Sequence, residues 1–325
     1  VLIDPALHGV YNTEVEYGLD LRILKNRIGF SATYWDRTNK DFPFDASIYP
    51  GTGYTTARIN AGTITKRGID LQLTLNPIKT KNVDWNLTAT WGRLIDNTVE
   101  SIYQDIQRTA TFANGQAGLA AYVVNEKGMK WGQLVGYGIM KQNGVPVVDP
   151  STGFFVRDTA LAHFGSILPD YTGGFQNSFN LFKNFVININ IDYSFGGKYF
   201  SLSKYYGYGT GLYQATAGLN DRGIPMRDDV ANGGGVHVVG VDEQGKPVDM
   251  YVKARDYFQQ FSYGDNIAEP YIEDLTFVKL RELSLGYRIP VEKLGIGKYF
   301  NSATFSIVAR NPWLIYSKST GFDPS

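Results

Sequence analysis

Residues 185–195 read FVININIDYSF, and this stretch decides the fold because apolar and polar residues alternate strictly from Ile187 onward. Side chains along a β-strand point to opposite faces in turn, so a period of two indicates a strand. One face of this strand is apolar, whereas the other carries amides, a carboxylate and a hydroxyl. The pattern predicts a strand whose two faces meet different surroundings.

The same period of two recurs along the chain, and helical periodicity is almost absent. In the five clear strands, the apolar positions of 15–23, 28–34, 69–75, 83–91 and 185–195 contain no charged residue, whereas the intervening positions contain several. Eight strands are predicted, at 13–24, 27–40, 64–76, 83–95, 171–182, 185–197, 270–290 and 299–318.

The connections between these strands alternate strictly between short and long. The short ones are 25–26, 77–82, 183–184 and 291–298, and the long ones are 41–63, 96–170 and 198–269. Every short turn therefore lies at one end of the strands, as in transmembrane barrels. Long connections are rare in compact soluble domains, although a soluble sandwich also has one apolar face.

Strand length and aromatic placement also favour a membrane wall. A tilted strand crosses the hydrocarbon layer in about 9–11 residues, and the predicted strands are long enough. Tyr34, Trp91 and Tyr193 lie toward strand ends, where aromatic girdles are expected. The prediction is all-β: a transmembrane antiparallel β-barrel, with about eight strands of a larger barrel and long extracellular loops. The opening at Val1 and the loop-like residues 321–325 lead us to expect a partial chain.

Composition excludes several classes of protein and site. Lys plus Arg number 31 against 31 Asp plus Glu, so the chain lacks the basic excess of a nucleic-acid partner. There is no cysteine, hence no disulfide and no thiolate zinc site. The three histidines, His8, His163 and His237, are far apart and are predicted to be loop or surface residues. We expect no cofactor and no metal.

Three groups of residues have the composition of catalytic or binding motifs, but their spacing and setting predict ordinary roles. Gly207–Gly211 lacks the strand and lysine of a phosphate loop, so a flexible loop is expected. Asp228, Asp229 and Asn232, followed by three glycines, do not have EF-hand spacing and predict a solvated turn. Four carboxylates are expected to be loop or lumen residues rather than a glycosidase pair, so no enzyme is predicted; they are Asp256, Glu269, Glu273 and Asp274.

An aromatic cluster in the loop 198–269 is the strongest candidate for ligand contact. Aromatic side chains can stack on a sugar ring or line a peptide groove. They can equally pack one loop against another or against a partner protein. The candidates for contact with a ligand or partner are Tyr199, Tyr205, Tyr206, Tyr208 and Tyr213.

Several segments resemble SusC/RagA-type TonB-dependent transporters, in the order in which that family carries them. The most specific is EDLTFVKLRELSLGYRIP at 273–290; Pro312 and the pair Lys66 and Arg67 depart from the family pattern. The other segments are NAGTITKRGIDL at 60–71, LPDYTGGFQNSF at 168–179, GVDEQGKP at 240–247, ARNP at 309–312 and GFDP at 321–324.

The resemblance implies the C-terminal part of a 22-stranded outer-membrane barrel. Residues 1–325 would be a partial barrel domain, with the plug and early strands absent from them. It further implies energy from TonB, a SusD-like surface lipoprotein as partner, contact with outer-membrane lipid, and oligosaccharides or oligopeptides as ligands. These features imply active import across the bacterial outer membrane.

Two other classes remain open from the sequence. One is a passive porin or surface adhesin built on a barrel, and the other is a soluble all-β glycan-binding protein. No single segment shows the pattern of a separate apolar core, so the long connections are expected to be loops.

Overall fold

The computed structural model describes residues 1–47, 49–60, 62–102, 108–112, 120–264 and 266–323. Ala61 and Pro324 of the quoted motifs lie outside these ranges. The chain divides into two compact units. The sheet unit comprises 1–106, 168–197 and 274–325, and the loop unit comprises 107–167 and 198–273.

The sheet unit contains one sheet of eight antiparallel strands, in which each strand pairs with its neighbours in chain order. All eight predicted strands are present. The strands are β1 (Tyr11–Ile23), β2 (Ile28–Lys40), β3 (Gly62–Lys79), β4 (Val83–Ile102), β5 (Tyr171–Leu181), β6 (Phe185–Phe195), β7 (Phe277–Ile289) and β8 (Ala303–Ser317). Within the described ranges the sheet is open, with β1 and β8 as its edges. Closure of the barrel and the count of 22 strands stay predictions.

The connections have the predicted parity. Residues 24–27, 80–82, 182–184 and 290–302 join neighbouring strands by short paths at one end. Residues 41–61, 103–170 and 196–276 form the long connections at the other end. The tight turns use left-handed backbone, with Asn26 at φ 65° and Lys183 at φ 69°. Asn accepts that conformation more readily than most residues.

The register places one uncharged apolar row across all eight strands. Residues opposite one another in register share a face of the sheet. The row consists of Leu21, Phe30, Leu73, Ala89, Phe175, Ile191, Leu280 and Trp313. A row on the opposite face consists of Arg22, Gly29, Thr74, Thr88, Gln176, Asn190, Glu282 and Arg310. In the middle of the strands the expected separation of charge from the apolar register is confirmed. Toward the long connections, Arg93 on β4 shares the apolar register, opposite Ile69 and Tyr171.

Aromatic pairs border the apolar face toward both strand ends. Toward the long connections the pairs are Tyr17 with Tyr34, and Trp91 with Tyr171. Toward the short turns they are Trp85 with Phe179, and Phe185 with Tyr287. This distribution is typical of the two interfaces of a membrane wall.

One glycine on the apolar face has a specific packing role. The Tyr193 side chain reaches over Gly173, and its hydroxyl donates to the Thr90 carbonyl oxygen at 3.0 Å. A Cβ at position 173 would clash with both groups. Only glycine leaves the strand surface open for the ring.

The polar face carries ion pairs and hydrogen bonds between strands. Arg281 on β7 donates to the Asp192 carboxylate on β6 at 2.7 Å. The Trp35 indole on β2 donates to Asp70 on β3 at 2.9 Å. Each contact links neighbouring strands, so the polar side chains of this face also support the pairing.

A small sheet and a 3₁₀ turn complete the sheet unit. Thr56–Asn60 lies between Leu2–Ile3 and Pro43–Ser47, parallel to the first and antiparallel to the second. The 3₁₀ turn is Pro50–Thr52.

The loop unit contains a four-stranded sheet, short strand pairs and short helices. The sheet order is Arg157–Ser166, Gln133–Ile139, Ala121–Glu126 and Arg108–Phe112. The strand pairs are Lys141–Gln142 with Val145–Pro146, Lys198–Phe200 with Ile272–Asp274, and Val236–Val241 with Pro247–Val252. The helices are α1 (Leu202–Thr210), α2 (Ala254–Gln259), the π-turn Gln260–Gly264, and 3₁₀ turns Gln214–Ala217, Val230–Asn232 and Glu269–Tyr271.

The loop unit has its own apolar core, contrary to the expectation that the long connections are loops. Tyr271, Ile267 and Ala268 are fully buried at its centre. Leu134 and Tyr205 pack into the same cluster from distant parts of the chain. Each segment contributes only a few apolar residues, so none shows a periodic pattern by itself.

Helix α1 corrects the prediction of a flexible loop at Gly207–Gly211. Ser201 caps its start by accepting from the Lys204 backbone N–H at 3.3 Å, and Gly211 ends it at φ 74°. Glycine is the usual residue at such a left-handed helix end. Among the described residues, no helix is long and apolar enough to cross a membrane.

Candidate functional site

A cavity of about 640 Å³ opens in the loop unit, beside the C-terminal half of α1 and the start of α2. Its volume lies within the roughly 300–1,000 Å³ typical of ligand pockets. Aromatic and charged side chains share its wall. The residues that matter for its chemistry are Tyr208, Phe258, Arg227, Asp228, Lys253 and Arg255.

The aromatic part of the wall is a stacked pair. The rings of Tyr208 and Phe258 lie 5.2 Å apart at an interplanar angle of 4°. Tyr213 meets Tyr208 edge-on, with ring centroids 4.9 Å apart. Burial, together with neighbouring Tyr213, raises the pKa of Tyr208. The phenol therefore stays neutral and remains available as a hydrogen-bond donor.

Arg227 is held in place at the C-terminal end of α1. Its Nε donates to the Thr216 carbonyl oxygen at 2.9 Å, and its Nη2 donates to Thr216 Oγ1 at 2.7 Å and to the Gly211 carbonyl oxygen. A cation is favoured at a helix C-terminus because the carbonyl groups there carry partial negative charge. These contacts give the guanidinium a defined position on the cavity wall.

Other charges on the wall do not pair with one another. The side chains of Asp228 and Lys253 form no ion pair or hydrogen bond with any residue within the described ranges. Arg255 makes one long hydrogen bond, from Nε to Gln259 Oε1 at 3.4 Å. The cavity therefore presents groups of both signs that are not neutralised by each other.

Three glycines support the acidic part of the wall. Gly233 and Gly235 have φ values of 90° and 89°, and a Cβ on Gly234 would clash with the Asp228 backbone. Asn220 Nδ2 donates to the Gly233 carbonyl oxygen at 2.8 Å. The segment is a turn, as predicted. No group of three potential metal ligands occurs in the part of the chain that the structure describes.

Four of the five predicted tyrosines come together around α1. Tyr208 lines the cavity, and Tyr213 packs against it. Tyr205 is buried in the core, where its hydroxyl donates to the Ser262 carbonyl oxygen at 2.5 Å. Tyr206 is 45% exposed beside Tyr205. Tyr199 lies outside this group on the strand Lys198–Phe200, and its buried hydroxyl has no hydrogen-bond partner among the described residues.

These positions separate the two roles considered for the cluster. Tyr205 packs the loop unit internally, whereas contact of Tyr199, Tyr206, Tyr208 and Tyr213 with a ligand or partner stays a prediction. Sequence reasoning missed Phe258, Arg227, Lys253 and Arg255. No local motif could have found them, because segments distant in sequence meet only in the folded loop unit.

Two of the carboxylates considered for catalysis are engaged in ion pairs. Glu269 binds Lys141 at 2.5 Å and accepts from the Ile139 backbone N–H at 2.9 Å. Glu273 pairs with Lys204; the lysine is buried and the glutamate nearly so. These two contacts fit the expected structural roles.

His237 lies between two carboxylates. Its Nε2 is 2.8 Å from Asp249, and its Nδ1 is 2.7 Å from Asp221. Its ring stacks on Tyr251, whose other face is covered by Arg222 at 3.6 Å. Hydrogen bonding to Asp249 and the charge of Asp221 raise the pKa of His237 above its ordinary value. The imidazole thus joins the hairpin 236–252 to residue 221, and the raised pKa favours its protonated form.

Replacement of His237 by Asn is expected to lower the melting temperature more at pH 6 than at pH 9. A raised folded-state pKa means that the stabilisation is complete below about 6.5, the unfolded value. It is lost as pH rises through the folded value. Thermal unfolding of the full-length protein in detergent measures this difference. Asp249→Asn should likewise lower the melting temperature more at pH 6 than at pH 9. An equal loss at both pH values would contradict the prediction.

Comparisons with known proteins place these features in context. No family model matches the chain. TonB-dependent receptor P26 of Formosa agariphila is 20% identical, with 93% of this chain and 30% of that protein aligned. TonB-dependent receptor P3 of the same organism is 22% identical over 87% of this chain and 27% of that protein.

Solved structures of the RagAB importer share the fold. The chain superposes on the RagAB peptide importer in its closed-closed state with a TM-score of 0.67 and 17% identity, covering 97% of this chain and 33% of that one. A structure of the RagAB peptide transporter gives the same TM-score at 16% identity. The chain thus spans about a third of the length of these relatives.

Proposed function

We propose that this chain, a segment of the SusC/RagA type of TonB-dependent receptor, is part of an outer-membrane protein that actively imports oligopeptides or oligosaccharides. The observation that carries the proposal is the superposition of 97% of the chain on RagAB. The uncharged row across all eight strands supports it, because a charge near the bilayer midplane costs roughly 2–4 kcal/mol.

In this proposal each unit has a separate task. The eight strands form a sector of a closed 22-stranded barrel, with the apolar face toward lipid and the polar face toward the lumen. Residues 1–325 are a partial barrel domain, and a plug that contacts TonB belongs to the complete protein. The loop unit works outside the membrane with a SusD-like surface lipoprotein, and its cavity contacts the ligand. The relatives are named as receptors and importers, which fits a role without catalysis.

Uptake in whole cells tests the proposal. Deletion of the gene is expected to abolish uptake of one class of fluorescently labelled oligomer, either peptides or glycans, and complementation is expected to restore it. Deletion of TonB, or a protonophore, should abolish the same uptake, because transport depends on inner-membrane energy.

Two results would point to the other classes of protein. Uptake that persists without TonB would indicate a passive porin. Recovery of the full-length protein in buffer without detergent would indicate a soluble glycan-binding protein. Either result contradicts active import.

A further inference from the structure

We infer that the loop-unit cavity is a subsite for a zwitterionic oligopeptide, which it holds by an ammonium group and a carboxylate at once. The inference rests on the proposed import function and narrows its substrate class. It follows from the side chains on the cavity wall, described above, and from the contacts that they do not make.

The charges on the wall are complementary to a ligand with both signs. Asp228 offers an exposed carboxylate and Lys253 offers an exposed ammonium. Neither side chain has an ion-pair or hydrogen-bond partner in the described ranges. Because no ion pair joins acid to base across the cavity, each charge can meet its counterpart on a ligand. Complementary charges give specificity by excluding ligands that leave them unsatisfied.

The aromatic pair supplies apolar contact between these charges. Tyr208 and Phe258 are half-buried, so part of each ring remains on the cavity wall. An apolar peptide side chain can pack there. A neutral glycan could also stack on the rings, but it would desolvate charged groups without returning an ion pair. The combination therefore favours a peptide.

One charged group of the wall is positioned before a ligand arrives. Three hydrogen bonds hold the Arg227 guanidinium, and Gly234 packs closely against the backbone of Asp228. Preorganised groups lose less conformational entropy on binding. The protein thus sets the position of one cation on the wall, whereas Asp228, Lys253 and Arg255 meet a ligand as exposed side chains.

A panel of blocked peptides tests the inference in cells that carry the full-length protein. The probes are one pentapeptide with a fluorophore on its central side chain, its N-acetylated and C-amidated forms, and a labelled neutral oligosaccharide. Blocking either end is expected to reduce TonB-dependent uptake about tenfold, the effect of losing roughly 1.4 kcal/mol of binding.

Paired substitutions assign each end of the peptide to a side of the cavity. In the K253Q/R255Q variant, the preference for the free over the amidated peptide should fall well below tenfold, with Arg227 as the remaining cation on the wall. In the D228N/D229N variant, free and acetylated peptides should be taken up equally. The matched control E243Q/K246Q removes one charge of each sign from an exposed hairpin turn of the same unit and should keep both preferences.

The outcomes distinguish this inference from the proposed function. TonB-dependent uptake that ignores both blocking groups, or that prefers the neutral oligosaccharide, overturns the zwitterionic site and leaves active import intact. Absence of TonB-dependent uptake for every oligomer overturns active import itself. The ligand panel on the unaltered protein decides the matter even where a variant fails to fold.

Discussion

Replacement of Lys204 by Met is expected to destabilise the loop unit by about 3–5 kcal/mol, the usual cost of removing one partner from a buried ion pair. The side chains of Lys204 and Glu273 are 7% and 11% exposed, and they contact each other. Burial lowers the pKa of Lys204, so its ammonium depends on the carboxylate for stability. Without the Lys204 ammonium, Glu273 keeps an unpaired negative charge in surroundings with little water.

The loss of stability is measured by unfolding the full-length protein in urea. Protease cleavage within 198–273 reports the unfolding of the loop unit. The double variant Lys204→Met with Glu273→Leu is the matched control, because an apolar pair of similar volume often replaces a buried ion pair without loss. It should regain most of the stability. A single variant as stable as the unaltered protein would show that the pair contributes nothing.

Replacement of Ile189 by Arg is expected to prevent most of the protein from reaching its folded state in the membrane. Ile189 lies on the apolar face of β6, in register with Asn177 on β5 and Leu283 on β7. Arginine at the bilayer midplane costs roughly 2–4 kcal/mol. The folded fraction is measured by the change in gel mobility on heating, after isolation of outer membranes.

The neighbouring position provides a control for this substitution. Asn190 points to the opposite face, where Gln176 and Glu282 are its partners in register. Asn190→Arg adds the same side chain beside a carboxylate and should leave the folded fraction unchanged. Equal folding of the two variants would contradict a lipid-facing surface at Ile189.

The strands were predictable because their pattern is local. The alternation in residues 185–195 identifies both the strand and its two faces, and the parity of the connections gives the order of the sheet. The start of β7 was less predictable. The strand expected at 270 begins at Phe277, because a 3₁₀ turn and a short strand at 269–274 precede it.

The loop unit was less predictable because its order comes from contacts between distant segments. The ring centroids of Tyr205 and Tyr271 lie 5.3 Å apart in the folded unit, yet neither residue belongs to a periodic apolar pattern in the sequence. The aromatic cluster at 199–213 did indicate the right part of the chain. Its charged neighbours, such as Arg255, reach the same cavity only through the fold of the whole unit.

The Tyr193 ring over Gly173 also bears on how the strands find their correct alignment. If two neighbouring strands pair one residue out of register, the apolar and polar faces are exchanged, and the alternating pattern disfavours this. A shift of two residues preserves both faces, so alternation does not exclude it. A two-residue slip between β5 and β6 would bring Tyr171 or Phe175 opposite Tyr193 in place of Gly173. The bond to Thr90 would then be lost and two large rings would compete for one space. Gly173 thus favours the correct register of β5 and β6 over a register that the apolar pattern alone would allow.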